Sequence, residues 1–421
     1  MTGGPSALHQ LSRDQLAVLV PELLLAGHLI DRSGLPHALG AFGPDGMRDI
    51  AIEEWMGASP VYTKRMQRAL GFVGDDVTTL FKGLQLDIGA PPQFMDFRFT
   101  VHDRNHGEFA LAHCGALMDV EPMGEDYVRR MCHDIEDPTF DATAIATNPR
   151  AQVRPIHRPP RVPADRAPHC AWSVIIDDTY PAVSIPPRAE QLARSAAAGW
   201  AASEIDPSED GRGDYAGPLL ADVQFADFSR SALVRIAEEV CLQGHLLTLA
   251  FLLALRARVD EATTLDLARK QFTGVAGVAA ARIHAALGLP TGLPGAARLL
   301  GLHPAFKPAG YVELAVEEDG DQLEIRLGRH SPADLDRAWP SLLDATQLSA
   351  VDAIVRAADP TLRTEAVTSD PDELVLRVVA GDEAHDEPPE VQLTRFSTGA
   401  SFVFVDRGRS LPLTVVARHG A

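Results

Sequence analysis

Between His102 and Cys170 the chain gathers the residues best able to bind a metal or to act as nucleophiles. Those 69 residues hold three of the four cysteines, Cys114, Cys132 and Cys170, and six of the fifteen histidines. Each of the three cysteines has a histidine as its neighbour, in the pairs His113-Cys114, Cys132-His133 and His169-Cys170. Thiolate and imidazole together form the usual donor set for zinc, and also the pair that an activated thiol requires. Cysteine is also among the most buried residue types, so the same pattern suits reduced thiols packed in a core.

Strand and helix geometry limit how these residues can meet. Neighbours on a strand point to opposite faces, so one pocket takes one residue from His113-Cys114 and one from His169-Cys170. On a helix, Cys132 and Glu136 share a face, and His133 leans towards Glu136 or Asp137. The economical site joins Cys114 and Cys170 from two strands to Cys132 or His133 from a helix above them. In that site Cys114, Cys132, Cys170 and His133 hold Zn²⁺ or Fe²⁺. Glu136, with His133, is the acid/base for a metal-bound water. No CxxC pair supports the set, which makes the zinc signature only moderately specific.

The segment Asn148 to Arg166 (NPRAQVRPIHRPPRVPADR) concentrates arginines in an otherwise acidic chain. Guanidinium groups fork carboxylates and phosphates, so Arg154 and Arg158, with His157 between them, are candidate anchors for an anionic substrate group. The same run also suits a solvated, polyproline-like loop. His102 and His106 flank a turn and serve either as a lid or as exposed surface. His28 recurs as His245 in a second half that lacks the site residues, which marks it as a hydrogen-bonded structural residue. No dinucleotide, P-loop, zincin or nucleophile-elbow motif occurs in a fitting context, so no nucleotide cofactor is expected.

The bulk composition narrows the setting. A formal net charge of −20 opposes a nucleic-acid partner, whose phosphates would be repelled. No apolar run is read as approaching the ~20 residues of a membrane span, and no secretory signal opens the chain. Four unevenly spaced cysteines do not form a disulfide framework. These features together point to the cytoplasm.

The apolar spacing predicts a helix from Leu11 to Ile30, a break over Ser33–Gly46, and helices at Met47–Met56 and Val61–Leu70. Strands follow at 94–99 and 109–113, a helical stretch at 124–146, and strands at 152–156 and 171–176. A linker at 181–226 carries a helix over Ala189–Ala201 and an exposed acidic loop, Glu204 to Asp214. Residues 227–421 then repeat 1–180. Ser12 faces Ser229, His28 faces His245 and Leu70 faces Leu287, all 217 residues apart. Further on, Glu136–Phe140 matches Ala358–Leu362 at 222, and the strand at Trp172 matches Ser401–Val405. At those offsets Cys132 and His133 face Ile354 and Val355, and Cys114 faces Leu327 or Gly328. The repeat thus keeps the fold without the site residues. The expected architecture is two tandem α+β domains, each with N-terminal helices and an antiparallel sheet carrying a helical excursion.

Cys114, the helical Cys132, Asn148-Pro149 before a strand and Cys170-Ala171-Trp172 opening another together resemble the 2-amino-thiazoline-4-carboxylate hydrolase-like group. The resemblance covers about Leu11 to Asp178. It implies an α+β domain with a small-molecule pocket near the cysteines and hydrolysis of a C–N or C–S bond. The added histidines, the Arg/Pro segment and the duplication depart from that pattern. The expected function is a small-molecule metalloenzyme, hydrolase or lyase. The alternatives are a non-catalytic ligand or metal sensor and a scaffold for assembly.

Overall fold

The computed structural model describes residues 6–369 and 371–395. The first helix, α1 (Arg13–Leu24), starts at Ser12. Its hydroxyl accepts the Gln15 N–H while the Gln15 side chain accepts the Ser12 N–H, a reciprocal capping box. The second helix, α2 (Ala26–Ala69), leaves helical geometry at one residue, Gly43, with a φ of 70°. Pro44 follows and disfavours helical backbone at the residue before it, and glycine tolerates the left-handed conformation that results.

The expected breaks at Ser33–Gly46 and Gly57 are therefore corrected to a single kink. Gly57 lies inside α2 because the helix is pressed against Ala250 and Arg188, which leave little room for a larger side chain. Packing overrides the local preference there.

After α3 (Val77–Leu84) come β1 (Met95–Val101) and β2 (His106–Cys114). The excursion is α4 (Gly115–Val120), α5 (Glu125–Arg129), a π-helical turn (Arg130–Ile135) and α6 (Glu136–Ala144). The chain then returns through β3 (Ala151–His157) and β4 (Cys170–Ile176), closing an antiparallel sheet in the order β1-β2-β4-β3. In the linker, the helix expected over Ala189–Ala201 is two short pieces, α7 (Pro187–Leu192) and α8 (Ala196–Gly199). Ser195 caps α8, and the Asp336 carboxylate accepts its first two N–H groups.

The second half repeats the order of elements. It runs α9 (Arg230–Arg256), α10 (Glu261–Leu287), α11 (Gly292–Leu302), β5 (Leu314–Asp319) and β6 (Gln322–Gly328). It continues through α12 (Pro332–Leu335), α13 (Ser349–Arg356), β7 (Leu362–Ser369) and β8 (Glu373–Ala380), with sheet order β5-β6-β8-β7. A last helix, α14 (Pro389–Arg395), follows.

The two excursions correspond at an offset of 211, and the expected 222 is corrected. The Val153 N–H donates to Asp141, as the Thr364 N–H does to Asp352. The third strands slip register at Pro155/His157 and Ala366/Thr368, again 211 apart. Glu136–Phe140 is helical, whereas Ala358–Leu362 leads into β7. The fourth strand is β8, and Ser401–Val405 lies outside the described residues.

Helices of the two halves pack directly on one another, α1 and α2 against α9 and α10. The main apolar core takes residues from both halves, from Leu8 to Val391, and a smaller cluster around Leu35, Met47, Ile50 and Phe251 also draws on both. Ion pairs bind the halves across it: Arg65 to Glu239 at 2.7 Å, Arg258 to Glu53 at 2.7 Å and Arg282 to Glu22 at 2.6 Å. One expectation about hydropathy is corrected here. Helix α9 has the length and apolar character of a membrane span, but 94% of its apolar window is buried against this fold, as a core helix would be.

Candidate functional site

The first half holds a cavity of about 390 Å³ between α2, the loop after α3, the inner end of the first sheet and the helical excursion. Its walls are mostly apolar, from residues such as Leu35, Phe94, Phe97, Leu111 and Met131. Four carboxyl groups line it: Asp119, which is ion-paired with Arg32, and Asp31, Asp87 and Glu136.

Each carboxyl is positioned by its own element. Asp31 sits on α2 and accepts the Trp55 indole N–H at 3.0 Å. Burial raises its pKa to about 7, against the weaker downward pull of that hydrogen bond. Behind it lies Glu54, buried and without a hydrogen-bond partner among the described residues. Burial first, and the Asp31 charge second, push the Glu54 carboxyl well above the ordinary carboxylate range.

Asp87 accepts the Tyr62 hydroxyl at 2.9 Å and the Gly89 N–H at 2.7 Å. Burial raises its pKa to about 6 while both hydrogen bonds oppose the rise. The loop carrying Asp87 is fixed from the other half. The Gln243 amide accepts the Ile88 N–H at 3.1 Å and donates to the Leu86 carbonyl at 2.9 Å.

Glu136 opens α6, directly after the π-helical turn, and its own N–H reaches back five residues to Met131. Such turns widen a helix and recur at functional sites. Burial, then the neighbouring Asp137 charge, raises the Glu136 pKa to about 8, with Arg158 pulling the other way. Glu136 is half-buried and lines the cavity.

Arg32 also lines the cavity, ion-paired with Asp119 on α4 and donating to the Thr394 carbonyl on α14. Its neighbour Leu393 reaches the cavity rim, so the last described helix closes one side. His28 donates from Nε2 to the Gly89 carbonyl at 3.0 Å, as His245 does to Lys307 at 2.9 Å. Burial lowers both imidazoles to about 4 and holds them neutral, the structural role expected of the pair.

The three cysteines come together behind Glu136. Register places Cys170 opposite Leu111 on the inner face, and a bulge at Ala112 turns Cys114 to the same side. Cys132 is buried in the π-helical turn. Burial and then the Glu136 charge push all three thiols up, Cys114 to about 12 and the other two well above the usual range. Without a bound cation, burial keeps all three as neutral thiols at pH 7.

The Cys114 sulfur also caps α4 by accepting the Leu117 N–H at 3.3 Å. His133 is engaged with the Pro159 carbonyl at 2.6 Å. Among the described residues, the group of three with ligand atoms all within 4.8 Å of one another is His102, His106 and Glu108, on the outer face of the sheet. No three of Cys114, Cys132, Cys170, His133 and Glu136 meet that spacing as placed.

The arginine segment does not reach the cavity. Arg154 pairs with Asp141 at 2.9 Å and Arg158 pairs with Asp137. Arg161 forks Glu121 with two 2.7 Å bonds. His157 is partly exposed on β3, its pKa lowered by burial and then by Arg166. These residues brace the excursion against the Pro-rich link and do not face the cavity.

Sequence reasoning placed Glu136 and missed Asp31, Asp87, Arg32 and Glu54. Comparison of the halves carries the missing signal. At the 217 offset Asp31 faces Thr248, Arg32 faces Leu249 and Glu54 faces Gln271. At the 211 offset Glu136 faces Gln347. Acids of the first half thus become neutral residues in the second, where Trp339 stacks on Phe272 beside His245. No known protein family, no curated protein and no solved structure matches the chain, and the resemblance to the thiazoline-carboxylate hydrolase-like group rests on the quoted residues alone.

Proposed function

We propose that the chain is an enzyme of small-molecule chemistry, a hydrolase or lyase, that works by general acid–base catalysis in the cavity of the first half. One observation carries this reading: Asp31, Asp87 and Glu136 open onto one apolar cavity with pKa values of about 7, about 6 and about 8. Carboxyl groups held near neutrality are what proton transfer at physiological pH requires, and environments that separate their pKa values assign the roles.

Asp87, mostly ionised at pH 7 and oriented by Tyr62 and Gly89, is the base that takes a proton from water or from a substrate carbon. Glu136, mostly neutral, is the acid that delivers a proton to the departing nitrogen or sulfur. Asp31 shares a proton economy with Glu54 and sets the charge of the remaining wall. With Arg32 already paired to Asp119, the cavity favours a neutral or cationic apolar substrate over the anionic one the arginine segment suggested.

The test is a panel of thiazolines, imidazolines and cyclic amides offered to the full chain, Glu136→Gln and Asp87→Asn. Loss of either group should lower turnover by roughly 10²–10⁴-fold. Turnover that survives both substitutions sinks the reading. Saturable binding of panel members with no turnover by the unaltered chain identifies a ligand-binding protein instead.

A further inference from the structure

We propose a second, separate site: a zinc-binding clip made by His102, His106 and Glu108 on the outer face of the first sheet. Their ligand atoms lie within 4.8 Å of one another. The His102 Nε2 is 3.2 Å from the Glu108 carboxylate, and the two imidazole rings are 4.5 Å apart between centroids. Two imidazoles and one carboxylate are a donor set for a borderline divalent cation, with coordination positions left for water.

Strand geometry puts the three side chains on one face. Thr100 pairs with Glu108, and the His102 N–H donates to the His106 carbonyl at 3.0 Å, so 102, 106 and 108 project together. Gly107 and Phe109 between and beside them are buried on the other face. The Ser173 hydroxyl lies 3.5 Å from the His106 Nε2 and supplies a polar neighbour on β4.

The connecting turn is held from three directions. Asp103 accepts the N–H groups of Asn105 and His106 at 2.7 and 2.9 Å. The Arg104 carbonyl accepts the Val77 N–H at 3.1 Å, and the Asn105 carbonyl accepts the Ile176 N–H at 2.8 Å. A fixed backbone leaves only side-chain rotation to bring the donors onto bonds of about 2.0–2.2 Å.

The repeat sharpens the case. The second hairpin is shorter, with β5 and β6 joined through Gly320, and its facing positions are Asp319, Gln322 and Glu324. No histidine stands there, so the set belongs to the first sheet alone. The clip is also remote from the cavity. From Phe97, which lines it, to His102 is five strand residues, or about 17 Å, and the clip is on the opposite face. Its role is to tie the hairpin of an edge strand, with no part in the cavity's chemistry.

The test is calorimetric titration of Zn²⁺ into the chelator-treated, reduced full chain, repeated with His106→Ala, Glu108→Gln and Cys132→Ser. One ion per chain should bind, and each clip substitution should weaken it about tenfold or more, by analogy with lost metal partners. Cys132→Ser should bind as the unaltered chain does. Co²⁺ in place of zinc should show no thiolate charge-transfer band. Absence of saturable binding, indifference to His106→Ala and Glu108→Gln, or loss on Cys132→Ser would each overturn the clip. None of these outcomes bears on the acid–base reading of the cavity.

Discussion

Burial keeps the Glu136 carboxyl neutral at pH 7, and that has a consequence for stability. In the unfolded chain a glutamate loses its proton near pH 4.3. In the folded chain the same group holds it to about pH 8. Between those values the folded state binds the extra proton, so stability from this group is full below about pH 4 and is lost as pH rises through 8. Asp31, with its pKa at about 7, acts in the same direction over a narrower window. Thermal unfolding of the unaltered chain should therefore fall between pH 5 and 8. Glu136→Gln should fall less, the difference amounting to on the order of 1–3 kcal/mol. Equal slopes for the two proteins would show that Glu136 ionises freely in the fold. At this scale the sequence was legible where chemistry is written in rare residues. The cysteine cluster led to Glu136, because Cys132 and Glu136 are one helical turn apart. Asp31 and Asp87 were not legible, since a carboxylate on an amphipathic helix or in a loop looks like solvated surface until packing buries it.

At the scale of elements, the expectations that survived rest on periodicity and those that failed rest on glycine and proline. The strands around Phe109 and Trp172 alternate as read, with their inner residues buried, whereas Phe97 and Phe99 on β1 are half-buried and β3 alternates only as far as Val153. Glycines on α2 were read as helix breakers, whereas several are packing devices whose partners lie far along the chain. Gly27 is one: a methyl group there would collide with the carbonyl of Ile88, next to the loop that holds Asp87. Gly27→Ala should destabilise by about 1–3 kcal/mol, since backbone must move to make room. Gly40→Ala, on the same helix with nothing within 4 Å of the added group, should be neutral or stabilise by up to about 1 kcal/mol. Urea unfolding of the two variants compares them directly. A similar cost for both would mean that helix propensity, and not the approach to Ile88, governs the site.

At the scale of the whole molecule, the repeat divides the sheets but not the core. The second half lacks the cavity acids, yet Gln243 holds the loop of Asp87 and α14 carries the carbonyl that Arg32 bonds. It acts as a scaffold for the first. The sequence showed the duplication through constant offsets but could not show that α2 packs on α9, because contacts between halves leave no periodic mark. The linker loop shows the same coupling. Glu204 to Asp214 is largely exposed, but the Arg212 N–H donates to Asp227, the Ser229 N–H to Arg212, and Glu209 accepts the Ser231 N–H. A protease can reach this loop, and these bonds tie both sides of a cut to the start of α9. A single nick between Glu204 and Asp214 should therefore give two fragments on a denaturing gel that still co-elute at the intact size under native conditions. They should part only when the shared core and its ion pairs, Arg65 to Glu239 among them, are broken by denaturant. Fragments that separate without denaturant and each keep a folded circular-dichroism spectrum would show that the two halves are independent domains after all.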